Sequence, residues 1–317
     1  MLSRFLLKAY RRALAKPGCY YTNQFEFECN SNDPEVVIYF IHGLGGAPGQ
    51  AALLLPTLQS LIGGRFYLRS MHIPELDVSR EFDQRYDSGT ADRIRTRVIQ
   101  DLQDLAATYP GRKIIIAASS HAMYDFVYAY PLIPTAILKR LTLVWLACAS
   151  DDYAHLEARY HRFLMLFYAV NGFDKGDYKW YFGINNNLLR FINPETRTSF
   201  SYRDDTGRKI TYFKRDIEMR FKWLGLQWTD PTCVHYVRDY LGRQIDKASR
   251  ITDIRCYVLA GSHDGYWHDT SESNFRATIE RYVTQYELTL VPTSHLWCVM
   301  PPFTGPFLDK VFREELP

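Results

Sequence analysis

The strongest constraint on this chain's fold comes from stretches that stay apolar instead of alternating. Val36-Val-Ile-Tyr-Phe-Ile41 and Ile114-Ile-Ile-Ala117 contain no charged residue, and Leu141 to Cys148 and Ile254 to Ala260 are almost as apolar. A strand with one wet face alternates apolar and polar positions, whereas a continuous apolar run needs cover on both sides. The cover is visible between the runs. Ile94, Val98, Leu102 and Leu105 recur at helical spacing until Tyr109-Pro110-Gly111 stops them, and Phe275, Ile279 and Tyr282 share another helical face. Phe25, Phe27 and Cys29 alternate with Glu26 and Glu28, which places a strand from Tyr20 to Cys29 near a sheet edge. Arg65 to His72 and Glu287 to Val291 read as further strands, and the tail supplies Phe307, Leu308, Val311 and Phe312. Strands alternating with helices predict an α/β fold, a mostly parallel central sheet with helices on both faces.

One segment breaks the alternation. From 151 to 245 the chain is rich in aromatic and basic residues, with one hairpin-like piece, Thr198 to Phe213, turning around Asp204-Asp-Thr-Gly207. Asp230-Pro231 suits a helix N-cap followed by proline in the first turn. Residues 151–245 therefore read as an insertion over a core made of 18–150 and 246–317, preceded by a basic amphipathic segment, 1–17.

Composition excludes several classes. A net charge of +3, evenly spread over 317 residues, gives no electrostatic footprint for nucleic acid. The six cysteines contain no CxxC pair, which argues against a zinc cluster. Cys148 and Cys256 lie in apolar strand-like runs as buried thiols. Cys19 and Cys29 could meet across a hairpin, but the usage fits a reducing compartment better. No apolar run approaches the roughly 20 residues of a membrane span, and none makes a secretory signal, so a cytoplasmic location is expected. In the first 16 residues, Leu2, Phe5, Leu6, Ala9, Tyr10 and Ala13 can share a face, flanked by Arg4, Lys8, Arg11, Arg12 and Lys16. Such a helix suits peripheral contact with an anionic membrane, an organellar transit peptide, or packing on its own domain.

Active groups in an open parallel sheet gather at the carboxyl ends of the strands. Four strand ends carry reactive or glycine-rich turns: His42-Gly-Leu-Gly-Gly46, Ala118-Ser-Ser-His-Ala122, Gly261-Ser-His-Asp-Gly265 and Pro292-Thr-Ser-His295. In this order, Ser then Asp then His, the chain resembles the α/β-hydrolase superfamily, whose nucleophile turn reads small-x-Ser-x-small. The resemblance covers the chain from about residue 30, with the insertion where such proteins carry a cap.

That turn is so tight that positions two before and two after the nucleophile must be small. With Ser120 they are Ala118 and Ala122; with Ser119 they would be Ala117 and His121, whose imidazole would crowd the turn. Ser120 is thus the expected nucleophile. A serine hydroxyl needs a base, and His295 has the right setting, with His263 and His268 as alternatives. His121 is expected to point away along its helix, and His42 to bond nearby backbone. Asp264 would orient His295, with Asp151 and Asp152 as the other position for an acid. The resemblance implies an oxyanion hole from the backbone N–H groups of Leu44 and His121. The turn after Gly43 lacks the Lys-Ser or Lys-Thr of a phosphate loop.

The resemblance thus implies a serine hydrolase of esterase or lipase type, acting without metal or organic cofactor on a small-molecule ester or lipid. The aromatic insertion favours an apolar acyl group. An acyltransferase or thioesterase would use the same three residues, and a non-catalytic relative would bind an apolar ligand or partner in the same fold.

Overall fold

A computed structural model describes residues 27–29, 33–43, 51, 54–71, 89–151, 200–203, 209–212, 248–264, 267, 269–293, 295, 298–299 and 301–316. Residues 1–17 lie outside these, as does most of the expected insertion. The alternation of strand and helix resolves into β1 (Phe27–Cys29), β2 (Val36–Ile41), α1 (Leu55–Ile62), β3 (Phe66–Ser70), α2 (Thr90–Thr108), β4 (Lys113–Ser119), α3 (Ala122–Ala129), α4 (Thr135–Leu138) and β5 (Leu141–Leu146). After the expected insertion come β8 (Cys256–Gly261), α5 (Glu272–Tyr282), β9 (Tyr286–Val291) and α6 (Pro301–Glu315). Within the insertion, β6 (Phe200–Arg203) and β7 (Lys209–Tyr212) pair antiparallel, which is the expected hairpin; its turn at 204–208 lies outside the described residues.

The main sheet has the order β1-β3-β2-β4-β5-β8-β9. Six neighbouring strands are parallel, and β1 pairs antiparallel with β3 at one edge. The continuous apolar runs are explained strand by strand. On β2, Val37, Tyr39 and Ile41 enter one core with α2, α3 and α5, while Val36, Ile38 and Phe40 enter another with α1 and α6. β4 divides the same way, with Ile114, Ile116 and Ala118 against Ile115 and Ala117. Both faces are therefore dry, and a polar side chain on either face would be buried without water.

Two polar devices hold the ends of these layers. At the C-terminus of α2, where carbonyls lose their helical partners, the Arg140 guanidinium donates to the carbonyls of Ala106, Tyr109 and Arg112. At the amino ends of the strands, the Glu315 carboxylate at the end of α6 accepts from Lys113 on β4, Thr142 on β5 and Tyr257 on β8. Burial opposes that carboxylate's charge, but these hydrogen bonds overcome it and hold its pKa below the ordinary value. Among the described residues no helix is long and apolar enough to cross a membrane.

Candidate active site

The site lies at the other end of the strands, beginning where β4 stops. Ser120 has φ 59°, a left-handed conformation that costs a residue with a Cβ on the order of 1 kcal/mol. The neighbours permit it: Ala118 and Ala122 are fully buried, leaving no room for larger side chains. The loop after β2 crosses directly above. A Cβ on Gly43 would stand 2.9 Å from the Ser119 carbonyl oxygen and 3.0 Å from the Ser120 Cβ, so only glycine allows this approach. His42 is buried, with Nδ1 3.1 Å from the Gly43 oxygen, the local backbone contact the sequence suggests.

β5 holds both sides of the turn. The Ser120 N–H donates to the Leu146 carbonyl at 2.7 Å, and the Trp145 indole Nε1–H donates to the Ser120 carbonyl at 2.6 Å. α3 then starts at Ala122, with its N-terminal amides, and their partial positive charge, on the serine side. Ser120 is only half-buried, so its hydroxyl can be reached.

The other two candidates come from adjacent strand ends. The loops after β8 and β9 are laced together: Ser262 N–H donates to the Val291 carbonyl at 2.9 Å and His263 N–H to the Thr293 carbonyl at 3.1 Å. Gly261 makes this contact feasible, since a Cβ there would fall 2.3 Å from the Thr293 oxygen. The result is a fixed distance between Asp264 and His295, both buried. His295 Nδ1 lies 2.5 Å from Asp264 Oδ2, and His295 Nε2 lies 2.8 Å from Ser120 Oγ. A carboxylate accepts only, so Nδ1 carries the proton, Nε2 is the acceptor, and the serine hydroxyl donates to it.

The structure thus brings Ser120, Asp264 and His295 into one hydrogen-bonded chain. It leaves Ser119 buried at the end of β4, His263 exposed, and Asp151 engaged by Arg281 and Tyr282. Asp152, His268 and Leu44 lie outside the described residues. His121 is buried, and burial pushes its pKa down to about 3, with His42 and His295 adding to the effect. Its ring stays neutral at ordinary pH.

Two indoles were not singled out by the sequence. Trp145 reads there only as part of an apolar strand. Trp267 braces the acid loop, donating from Nε1 to the Cys148 carbonyl at 2.9 Å and packing on Phe275. Cys148, Cys256 and Cys298 are free and buried, and burial pushes each thiol up, so none competes as a thiolate nucleophile. Among the described residues no group of three or more His, Cys, Asp or Glu could hold a metal ion.

Solved structures share this architecture. A hydrolase from Oleispira antarctica superposes with a TM-score of 0.51 at 10% identity, covering 91% of this chain and 94% of its own. MenH from S. aureus gives 0.51 at 11% identity, covering 93% and 100%. A hydrolase from Pseudomonas aeruginosa gives 0.50 at 14% identity, covering 91% and 92%. The chain has the α/β-hydrolase fold. No protein-family model and no curated protein sequence matches it.

Proposed function

We propose that this protein is a serine hydrolase that cleaves a carboxylic ester through an acyl-enzyme. The observation that carries the reading is the Ser120–His295–Asp264 chain, with distances of 2.8 and 2.5 Å on a left-handed serine. The hydrolases among the structural neighbours support the general class.

Ser120 Oγ attacks the ester carbonyl carbon as its proton passes to His295 Nε2. Asp264 stabilises the imidazolium from the Nδ1 side. The carbonyl electron pair moves to oxygen, where the backbone N–H of His121 at the start of α3 receives the charge; Leu44 is the second proposed donor. The oxyanion then collapses, His295 protonates the departing alcohol, and water repeats the sequence to release the acid and restore Ser120. An apolar acyl group is proposed from the Tyr, Phe, Trp and Leu content of residues 151–245.

A fluorophosphonate probe tests the reading, applied to the protein and to Ser120→Ala and Ser119→Ala variants, with the adduct located by mass spectrometry. Labelling at Ser120 that disappears only in Ser120→Ala supports it, and a chain-length series of simple esters then tests the acyl preference. A folded protein that stays unlabelled refutes it.

A further inference from the structure

The two peptide planes flanking Ser120 are held by different groups of one strand. The plane before it carries the Ser120 N–H, which donates to the Leu146 carbonyl. The plane after it carries the Ser120 carbonyl, which accepts from the Trp145 indole at 2.6 Å. A trans peptide is rigid and planar, with its C=O and N–H on opposite edges. The opposite edge of that second plane is the N–H of His121.

We propose that Trp145 is a positioning residue for the oxyanion donor: by holding the Ser120 carbonyl, its indole N–H fixes the direction of the His121 N–H. The inference rests on the serine-hydrolase reading for its kinetic consequence, while the structural claim stands apart from it. A left-handed residue between a strand and a helix is a place where the following peptide can turn over, since neither ladder continues through it. Here the helix does not restrain it strongly, because the Tyr124 N–H bonds to the His121 carbonyl. The restraint comes from across the sheet.

The indole is itself fixed. Trp145 is fully buried, and its ring stands edge-on to Tyr124 with centroids 5.5 Å apart and planes at 82°. Tyr124 is tied in turn, donating its hydroxyl to the Ala149 carbonyl at 2.8 Å and packing edge-on to Tyr282 at 5.1 Å. A donor on the carbonyl also polarises the whole amide, which strengthens its N–H as a donor toward negative charge. Trp145 therefore acts in two ways on one bond: it aims the His121 N–H and increases its pull. Neither requires Trp145 to touch substrate.

The decisive substitution removes the N–H donor and keeps the ring system. Benzothienylalanine placed at position 145 keeps the bicyclic shape with sulfur in place of the indole nitrogen; Trp145→Phe serves as a coarser second variant. Three readouts are taken: the fluorophosphonate labelling rate, kcat and KM on an ester that the protein turns over, and the His121 backbone amide resonance in selectively labelled protein. Labelling and kcat should fall about 10- to 100-fold with KM unchanged, because the donor serves the transition state more than bound substrate. The His121 amide resonance should move. Unchanged rates together with an unmoved resonance overturn the proposal. If the unaltered protein is not labelled at all, the hydrolase reading fails separately, and the resonance alone then decides: movement supports the positioning claim, and none overturns it.

Discussion

Replacing Gly261 by alanine puts a methyl group where the loops after β8 and β9 already touch. The new Cβ would stand 2.3 Å from the Thr293 carbonyl oxygen and 3.0 Å from its carbon. The obstacle is backbone, so no side-chain rotation relieves it. To bring that oxygen to the 3.0 Å limit the loops must part by about 0.7 Å, and by about 1.1 Å for ordinary contact. Those loops carry Asp264 and His295, whose 2.5 Å hydrogen bond cannot absorb such a shift and remain intact. A 1 Å displacement of a catalytic group costs about 100-fold in rate, which is the expected fall in fluorophosphonate labelling and in kcat/KM for Gly261→Ala. Gly305→Ala provides the control. Its Cβ would meet only Thr57 Oγ1 at 3.7 Å, an ordinary contact, so activity should hold while helix α6 gains about 0.5–1 kcal/mol. A Gly261→Ala protein that labels and turns over at the original rate would show that the lacing between the two loops does not set the base.

Other tests address the charges. Asp264→Asn keeps the shape but offers an amide donor or acceptor to Nδ1, letting His295 adopt the wrong tautomer; labelling should fall by about 10³–10⁴ at pH 7 with folding retained. His121 makes stability depend on pH with a definite sign. Its folded pKa of about 3 lies below the ordinary 6.5, so below pH 6.5 the unfolded chain takes up a proton that the folded protein refuses. Stability should drop by about 1.4 kcal/mol between pH 7.5 and 5.5 from this group, and His121→Asn should remove that component in urea titrations at the two pH values. Glu315→Gln should lower stability by about 2 kcal/mol, measured by urea unfolding, because Lys113, Thr142 and Tyr257 lose a charged acceptor. Its effect on labelling of Ser120 should be slight, since the clip lies at the amino ends of the strands.

What was legible in the sequence was local and periodic. The apolar runs identified strands buried on both faces, and their observed ends differ by a residue or two from those read, as at β8, which starts at Cys256 instead of Ile254. Ser120 was separable from Ser119 because the size of residues two positions away is local information, and Ala118 and Ala122 are indeed fully buried. The tertiary partners were not legible. Nothing near Trp145 marks it as a donor to Ser120, because that contact depends on strand register and on a turn in the neighbouring strand. Glu315 is separated from Lys113 by 202 positions, and no periodicity in an exposed-looking acidic tail announces a buried clip. The lowered pKa of His121 was illegible for the same reason, since His42 and His295 follow other strands. Leu44 and the insertion's relation to the site lie outside the described residues.

The separation of Ser120 from His295, 175 positions along the chain, bears on how the molecule is born. β4 and the serine turn leave the ribosome before β9 and the loop carrying His295. Until β9 pairs with β8, Ser120 and Asp264 lack the imidazole that joins them. A nascent chain thus displays Ser120 before the partner of its hydroxyl exists. The hydrogen-bonded chain of Ser120, His295 and Asp264 forms only once β9 has joined the sheet beside β8. On the proposed serine-hydrolase reading, a chain truncated ahead of β9 would display the serine without the base that arms it.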